Sequence, residues 1–245
     1  MDPIVNKFVN SIYYKKILQD NKVVFAFLGG SRLIDLEEEN SDYDFTFYVD
    51  DINLTRIVGW EIMHLAYNGK NVHWYLNGFN FLKIDTLGYL CFFVKLININ
   101  RDKLLYIDSR YMSLWSILEE HSEDIALYGA TKFIQLLESE YQQEKEGKIQ
   151  MPEWLKIEIK KSKYVIYWLA FKKKWINCLN IEQILYYKNK CNILTNEEDK
   201  YYEDIFQQIK ILILKQGINV EEMEKKLYRI FVQEINNIHD RYHMN

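Results

Sequence analysis

Long apolar runs, paired cysteines and prolines are scarce in this chain of 245 residues. The longest apolar stretch, Tyr89 to Ile97, is interrupted by Lys95. It is about half the ~20 residues a membrane-spanning helix needs, so no membrane partner is expected. Three cysteines (Cys91, Cys178 and Cys191) form no CxxC pair, which argues against a zinc cluster or a disulfide framework and fits a reducing cytoplasm. Two prolines, Pro3 and Pro152, leave the chain free to form helices and make Pro152 a place to look for a boundary. Met1-Asp2-Pro3-Ile4 opens without a basic region followed by an apolar stretch, so no secretory leader is expected. There is neither GxxxxGK[ST] nor GxGxxG, which argues against P-loop and Rossmann chemistry. A strong charge of one sign is lacking too: the net charge is −4, far from the basic balance of a purely electrostatic nucleic-acid binder.

What is present points to a folded protein with a sizeable core. Half the residues are hydrophobic and 16% are aromatic, which excludes disordered and low-complexity classes. Acids outnumber bases in the first half, whereas the second half is mildly basic, with a lysine-rich stretch from Lys156 to Lys174. The frequent Asn, Lys, Ile and Tyr suggest an AT-rich genome, bacterial or phage.

Apolar periodicity predicts a first helix from Ile4 to near Asn21. Val23 to Leu28 is a short continuous apolar run stopped by Gly29-Gly30, the pattern of a strand buried on both faces. Tyr43 to Val49 reads as a second strand, Leu54 to Tyr67 as a helix, and Val72 to Leu76 as a third strand. From Phe79 on the chain reads as mostly helical. Tyr164, Trp168, Phe171 and Trp175 form one apolar stripe, read as core rather than as a ligand box. The expected fold class is α+β: a small mixed sheet flanked by helices, followed by a mainly α-helical C-terminal region. The expected division is residues 1–110 for the sheet-bearing core and 111–245 for the helical part.

The chemistry is concentrated in two short motifs. Gly29-Gly30-Ser31-Arg32 follows the first strand, and Ser41-Asp42-Tyr43-Asp44 opens the second. Glycines at such a turn permit positive φ and let a phosphate approach backbone N–H groups. Ser31 adds a hydroxyl donor and Arg32 a fixed charge with fork geometry for phosphate. Asp42 and Asp44 stand two apart, and strand geometry turns both carboxylates to one face, where they can hold Mg2+ (or Mn2+). Either motif alone is weak; their order and spacing make a joint signal.

With these residues the chain resembles the DNA polymerase beta-like nucleotidyltransferase superfamily, in particular its stand-alone bacterial and phage branch, which carries Gly-Ser-Arg and Ser-Asp-Tyr-Asp. The resemblance is tight over residues 23–49 and looser through Val72 to Ile84. It implies a transfer of a nucleoside monophosphate from a nucleoside triphosphate to a hydroxyl acceptor: RNA, a small molecule or a protein. It also implies that Gly29, Gly30, Ser31 and Arg32 contact the nucleotide, and that Asp42 and Asp44 bind metal. A third carboxylate is expected on the next strand, and here the chain departs from the pattern. Asn71, His73 and Tyr75 stand there instead, with no acid between Lys70 and Lys83. His73 is the replacement considered for ligation or proton transfer, with Glu61 and Asp85 as fallback acids. The missing acid motivates a second reading, a catalytically degenerate nucleotide-binding or interaction protein. Lys160, Lys161 and Lys163 are the candidate contacts for RNA or another polyanion. His239 and His243, four residues apart near the C-terminus, have no third ligand nearby.

Overall fold

The computed structural model describes residues 2–39, 41–50, 57–59, 71–78 and 104–242. The chain is α+β, with a small mixed sheet early and helices dominating the C-terminal region. Its residues divide into two compact units. One holds the described residues up to 78, 104–120 and 227–242, and the other holds His121–Lys226.

The first unit is built on five strands: β1 (Val23–Leu28), β2 (Tyr43–Val49), β3 (Ile57–Gly59), β4 (Val72–Asn77) and β5 (Leu104–Ile107). Their order across the sheet is β3-β4-β2-β1-β5. β1 runs antiparallel to both β2 and β5, β2 parallel to β4, and β3 antiparallel to β4. The strand expected at Val72 to Leu76 is thus the parallel neighbour of the aspartate-bearing strand. The continuous apolar composition of β1 has the cause inferred for it: Val24 and Phe25 are fully buried and Ala26 nearly so.

Two helices, α1 (Pro3–Val9) and α2 (Ile12–Asp20), cover one face. The single helix predicted there is broken at Asn10-Ser11. Asp2 caps α1 by accepting from the Ile4 and Val5 amides, Pro3 supplies the first-turn φ, and Ser11 caps α2 through Tyr14 N–H. Phe8 packs on Phe45 at 4.0 Å between ring centroids, and Tyr14 on Phe47 at 5.6 Å. With Ile4, Val5, Val72 and Leu76 these form the core under the helices. Period-2 alternation turns Asp44, Thr46 and Tyr48 to the other face. There Phe27 stacks near Tyr48, and Phe25 meets Trp115 of α3 (Met112–Glu120).

Two further expectations need correction. Residues 57–59, read as part of a helix, form β3, and its Ile-Val pair suits a short edge strand. Leu104–Ile107, within the stretch read as helical, forms β5. Four residues are too few for periodicity to separate strand from helix.

The second unit is helical: α4 (Ser122–Lys145), α5 (Glu153–Ser162), α6 (Tyr164–Lys172), α7 (Ile181–Lys190), α8 (Asn196–Leu214) and the first residues of α9 (Val220–Tyr242). Capping boxes at Asn180/Gln183 and Thr195/Glu198 start α7 and α8. Val165 through Ala170 are all buried, so α6 is enclosed on every side rather than along one stripe. Among the described residues no helix is long and apolar enough to cross a membrane.

Candidate functional site

Where β1 ends, Gly29 N–H donates to the Asp44 carbonyl, stitching the turn to the opening of β2. A Cβ on Gly29 would stand 2.5 Å from Thr46 Oγ1, which is buried without a hydrogen-bond partner among the described residues. Gly30 adopts φ +63°, and a Cβ there would run into Asp44 Oδ2. Both glycines are therefore required by close approach, and Gly30 by its backbone conformation as well. Ser31 opens a short 3-10 turn, Arg32–Ile34, without capping it through its side chain. The half-buried Ser31 hydroxyl is thus not spent on the turn's own amides.

Arg32 reaches back to the segment that opens β2. Its Nε donates to the Asp42 carbonyl at 3.2 Å and its Nη2 to the Ser41 carbonyl at 2.9 Å. The guanidinium lies over the Tyr43 ring, 3.8 Å from the centroid. Tyr43 OH in turn donates to Asp2 Oδ2 at 2.8 Å. Burial pushes the Asp2 carboxyl upward, but Tyr43, the Ile4 and Val5 amides and Arg32 outweigh it and hold the group below its ordinary value. Burial, followed by the bond to Asp2, raises the Tyr43 phenol. Arg32 thus ties the Gly-Gly-Ser turn to the segment carrying both aspartates.

The parallel register of β2 and β4 sets Asp44 beside His73 and Thr46 beside Tyr75, all on one face. Tyr75 OH donates to Asp44 Oδ1 at 3.1 Å, and His73 Nδ1 stands 3.4 Å from the same oxygen. Asp44 and His73 each retain 22% side-chain exposure, enough for a ligand to reach them. Asp42, half-buried, precedes β2. Sequence reasoning overlooked Tyr75 as a partner of Asp44, because that contact depends on strand register. The fallback acids Glu61 and Asp85 lie outside the described residues, as does His243. His239 Nε2 is 2.7 Å from Asp50 Oδ2.

Among the described residues no group of three or more His, Cys, Asp or Glu is arranged to hold a metal ion. The carboxylates fit Mg2+ nonetheless. That ion keeps several waters and is commonly bound through one or two carboxylates together with substrate phosphates. Asp44 Oδ2, turned toward Gly30, and Asp42 are the oxygen donors suited to it.

In the second unit three lysines of the basic stretch face acids. Lys160 pairs with Asp199 at 2.5 Å, Lys163 with Glu203 at 2.7 Å, and Lys156 with Glu144 at 2.6 Å. Lys163 is only 7% exposed, whereas Lys161 is half-buried.

No family model matches the chain, and no curated protein matches its sequence. Among solved structures it is similar to a nucleotidyltransferase-like protein from Exiguobacterium sibiricum. The identity is 10%, over 94% of this chain and 79% of that one, with a TM-score of 0.33. At that score the likeness assigns neither fold nor activity.

Proposed function

We propose that this protein is a nucleotidyltransferase that uses Mg2+ or Mn2+ and a nucleoside triphosphate. The observation that carries the reading is the fit between Gly30 and Asp44 beside a Ser31 hydroxyl that does not cap its own turn. A bare backbone turn, a hydroxyl donor and the Asp44 carboxylate meet at the end of one buried strand, with Asp42 two residues before Asp44. In this reading the Gly30 and Ser31 backbone and the Ser31 hydroxyl hold the triphosphate. Arg32 serves by keeping the Ser41–Asp42 backbone in place, with its charge adjoining the turn. Asp42 and Asp44 hold the metal, which when bound neutralises phosphate charge and polarises the reacting oxygens.

The acceptor hydroxyl attacks the α-phosphorus in line; a P–O bond to the acceptor forms as the bond to pyrophosphate breaks. His73 receives the acceptor's proton. Its Nδ1 stands 3.4 Å from Asp44 Oδ1, within the carboxylate-bearing face, which supports that role. A small-molecule or protein hydroxyl suits the described surface better than RNA, because Lys160 and Lys163 already face acids.

A second reading is supported by one observation. Among the described residues Tyr75 and His73, rather than a third acid, flank Asp44, which suits nucleotide binding without turnover. The two readings separate on pyrophosphate release in the presence of Mg2+, each of the four nucleoside triphosphates and a panel of hydroxyl acceptors. Transferase function predicts release that depends on one of the acceptors. Saturable nucleotide binding with no release from any acceptor favours the second reading.

A further inference from the structure

The helical unit contains a cleft of about 170 Å3 where α4, α5, α6, α7 and α8 converge around the paired lysines. At roughly 30 Å3 per water, it has room for only a few waters or a group of similar bulk. That is below the usual size of sites for drug-sized ligands and far too small for a nucleic-acid strand.

Its charges are layered. Lys163 is nine-tenths buried, its Nζ 4.5 Å from the centroid of the Phe206 ring, so it has little freedom to leave. Its counter-ion, Glu203, is about half exposed and is also held by Gln207. Lys160 repeats the pattern, one-third exposed against an Asp199 that is half exposed. The cations therefore form the inner side and the carboxylates the movable rim. Three tyrosine hydroxyls of the cleft donate to backbone carbonyls: Tyr167 to Tyr202, Tyr187 to Lys160, and Tyr202 to Gln183. Their rings pack into one rigid aromatic wall, with Tyr187 4.9 Å from Tyr167 and 4.7 Å from Tyr202. Tyr141 adds a partly exposed phenol at the mouth.

We infer that this cleft is a binding site for a small phosphate-class oxyanion, held by the Lys160 and Lys163 ammonium groups after Asp199 and Glu203 swing aside. A cationic ligand fits worse, because it would have to draw both acids from lysines that stay in place. An oxyanion takes over the acids' role and releases them to water, where a half-exposed carboxylate is readily solvated. The inference stands apart from the nucleotidyl-transfer reading and uses none of its residues.

Calorimetric titration of the full chain with inorganic phosphate tests it, with phenyl phosphate in a second arm. Wild-type protein is expected to bind phosphate saturably. Lys160→Gln should weaken binding about tenfold, the scale of one charged hydrogen bond. Glu203→Gln should instead tighten it several-fold, because a competing internal carboxylate is gone. Phenyl phosphate binding more tightly than phosphate identifies a monoester against the aromatic wall; equal affinity identifies free phosphate. Circular dichroism verifies that both variants remain helical. If Glu203→Gln unfolds, Asp199→Asn, on the exposed rim, replaces it with the same tightening expected; if Lys160→Gln unfolds, Lys160→Arg, with a bulkier head in the small cleft, replaces it with the same weakening expected. No saturable binding, or binding indifferent to these substitutions as phosphate at the Gly30–Ser31 turn would be, overturns the proposal.

Discussion

The Asp44 carboxylate lies in the space that a side chain on Gly30 would occupy. Gly30→Ala therefore meets two penalties: a left-handed backbone that disfavours Cβ, and a collision with the Asp44 carboxylate proposed to hold the metal. The expected result is a loss of about 1–3 kcal/mol in stability together with loss of metal–nucleotide binding. Gly147 shares the positive φ but has open space around it. Gly147→Ala should show only the backbone cost, about 1 kcal/mol, with nucleotide binding intact. Urea unfolding paired with nucleotide titration separates the two effects.

Arg32 distinguishes a clamp from a phosphate contact. Its planar fork reaches two carbonyls while stacking on Tyr43, a combination that a lysine ammonium cannot reproduce. Arg32→Lys should lose nucleotide affinity nearly as fully as Arg32→Ala, with a melting temperature lowered by a few degrees. A lysine variant that keeps both its affinity and its melting temperature would return Arg32 to direct phosphate contact.

Tyr75→Phe removes one hydroxyl from Asp44 Oδ1 and leaves the ring in place. Metal affinity, read by Mn2+ titration, should change several-fold, by the worth of one hydrogen bond to a charged group, while stability changes little. His73→Gln tests proton transfer separately. It should lower the rate of nucleotide transfer at neutral pH without a matching loss of nucleotide affinity.

Acid should weaken the first unit through its paired carboxylates. Asp108 is held below its ordinary value first by the Arg110 side-chain hydrogen bonds, and Asp2 by its Tyr43, backbone and Arg32 partners acting against burial. A carboxyl depressed in the folded state stabilises fully above its unfolded pKa, and that contribution is lost as pH falls through the folded pKa. Unfolding free energy should thus fall steadily below about pH 4, with Asp2→Asn flattening that slope. Denaturant titrations at pH 7 and pH 3 measure it.

Much of this architecture is legible in the chain. β1, β2 and β4 announce themselves because strands with buried or alternating faces leave a clear apolar record. β3 and β5 are too short to do so, and the break at Asn10-Ser11 depends on a single cap residue. In the candidate site, the sequence shows the Gly-Gly turn and the neighbouring Asp42 and Asp44, because their spacing is local. The contacts of Arg32 and Tyr75 are not visible in this way. One depends on carbonyls nine and ten residues distant, the other on a strand register joining residues 31 apart. The partners of Lys160 and Lys163 are likewise set by helix packing, so a lysine-rich segment that looks like an exposed basic track is largely neutralised.

The most direct test of the central claim is calorimetric titration with a non-hydrolysable nucleoside triphosphate analogue of each base, with Mg2+ and with chelator. The account predicts saturable binding of at least one analogue, dependent on Mg2+ and lost in Asp42→Asn/Asp44→Asn protein that remains folded by circular dichroism. Binding to no analogue, or binding that survives both chelation and the double substitution, would contradict it.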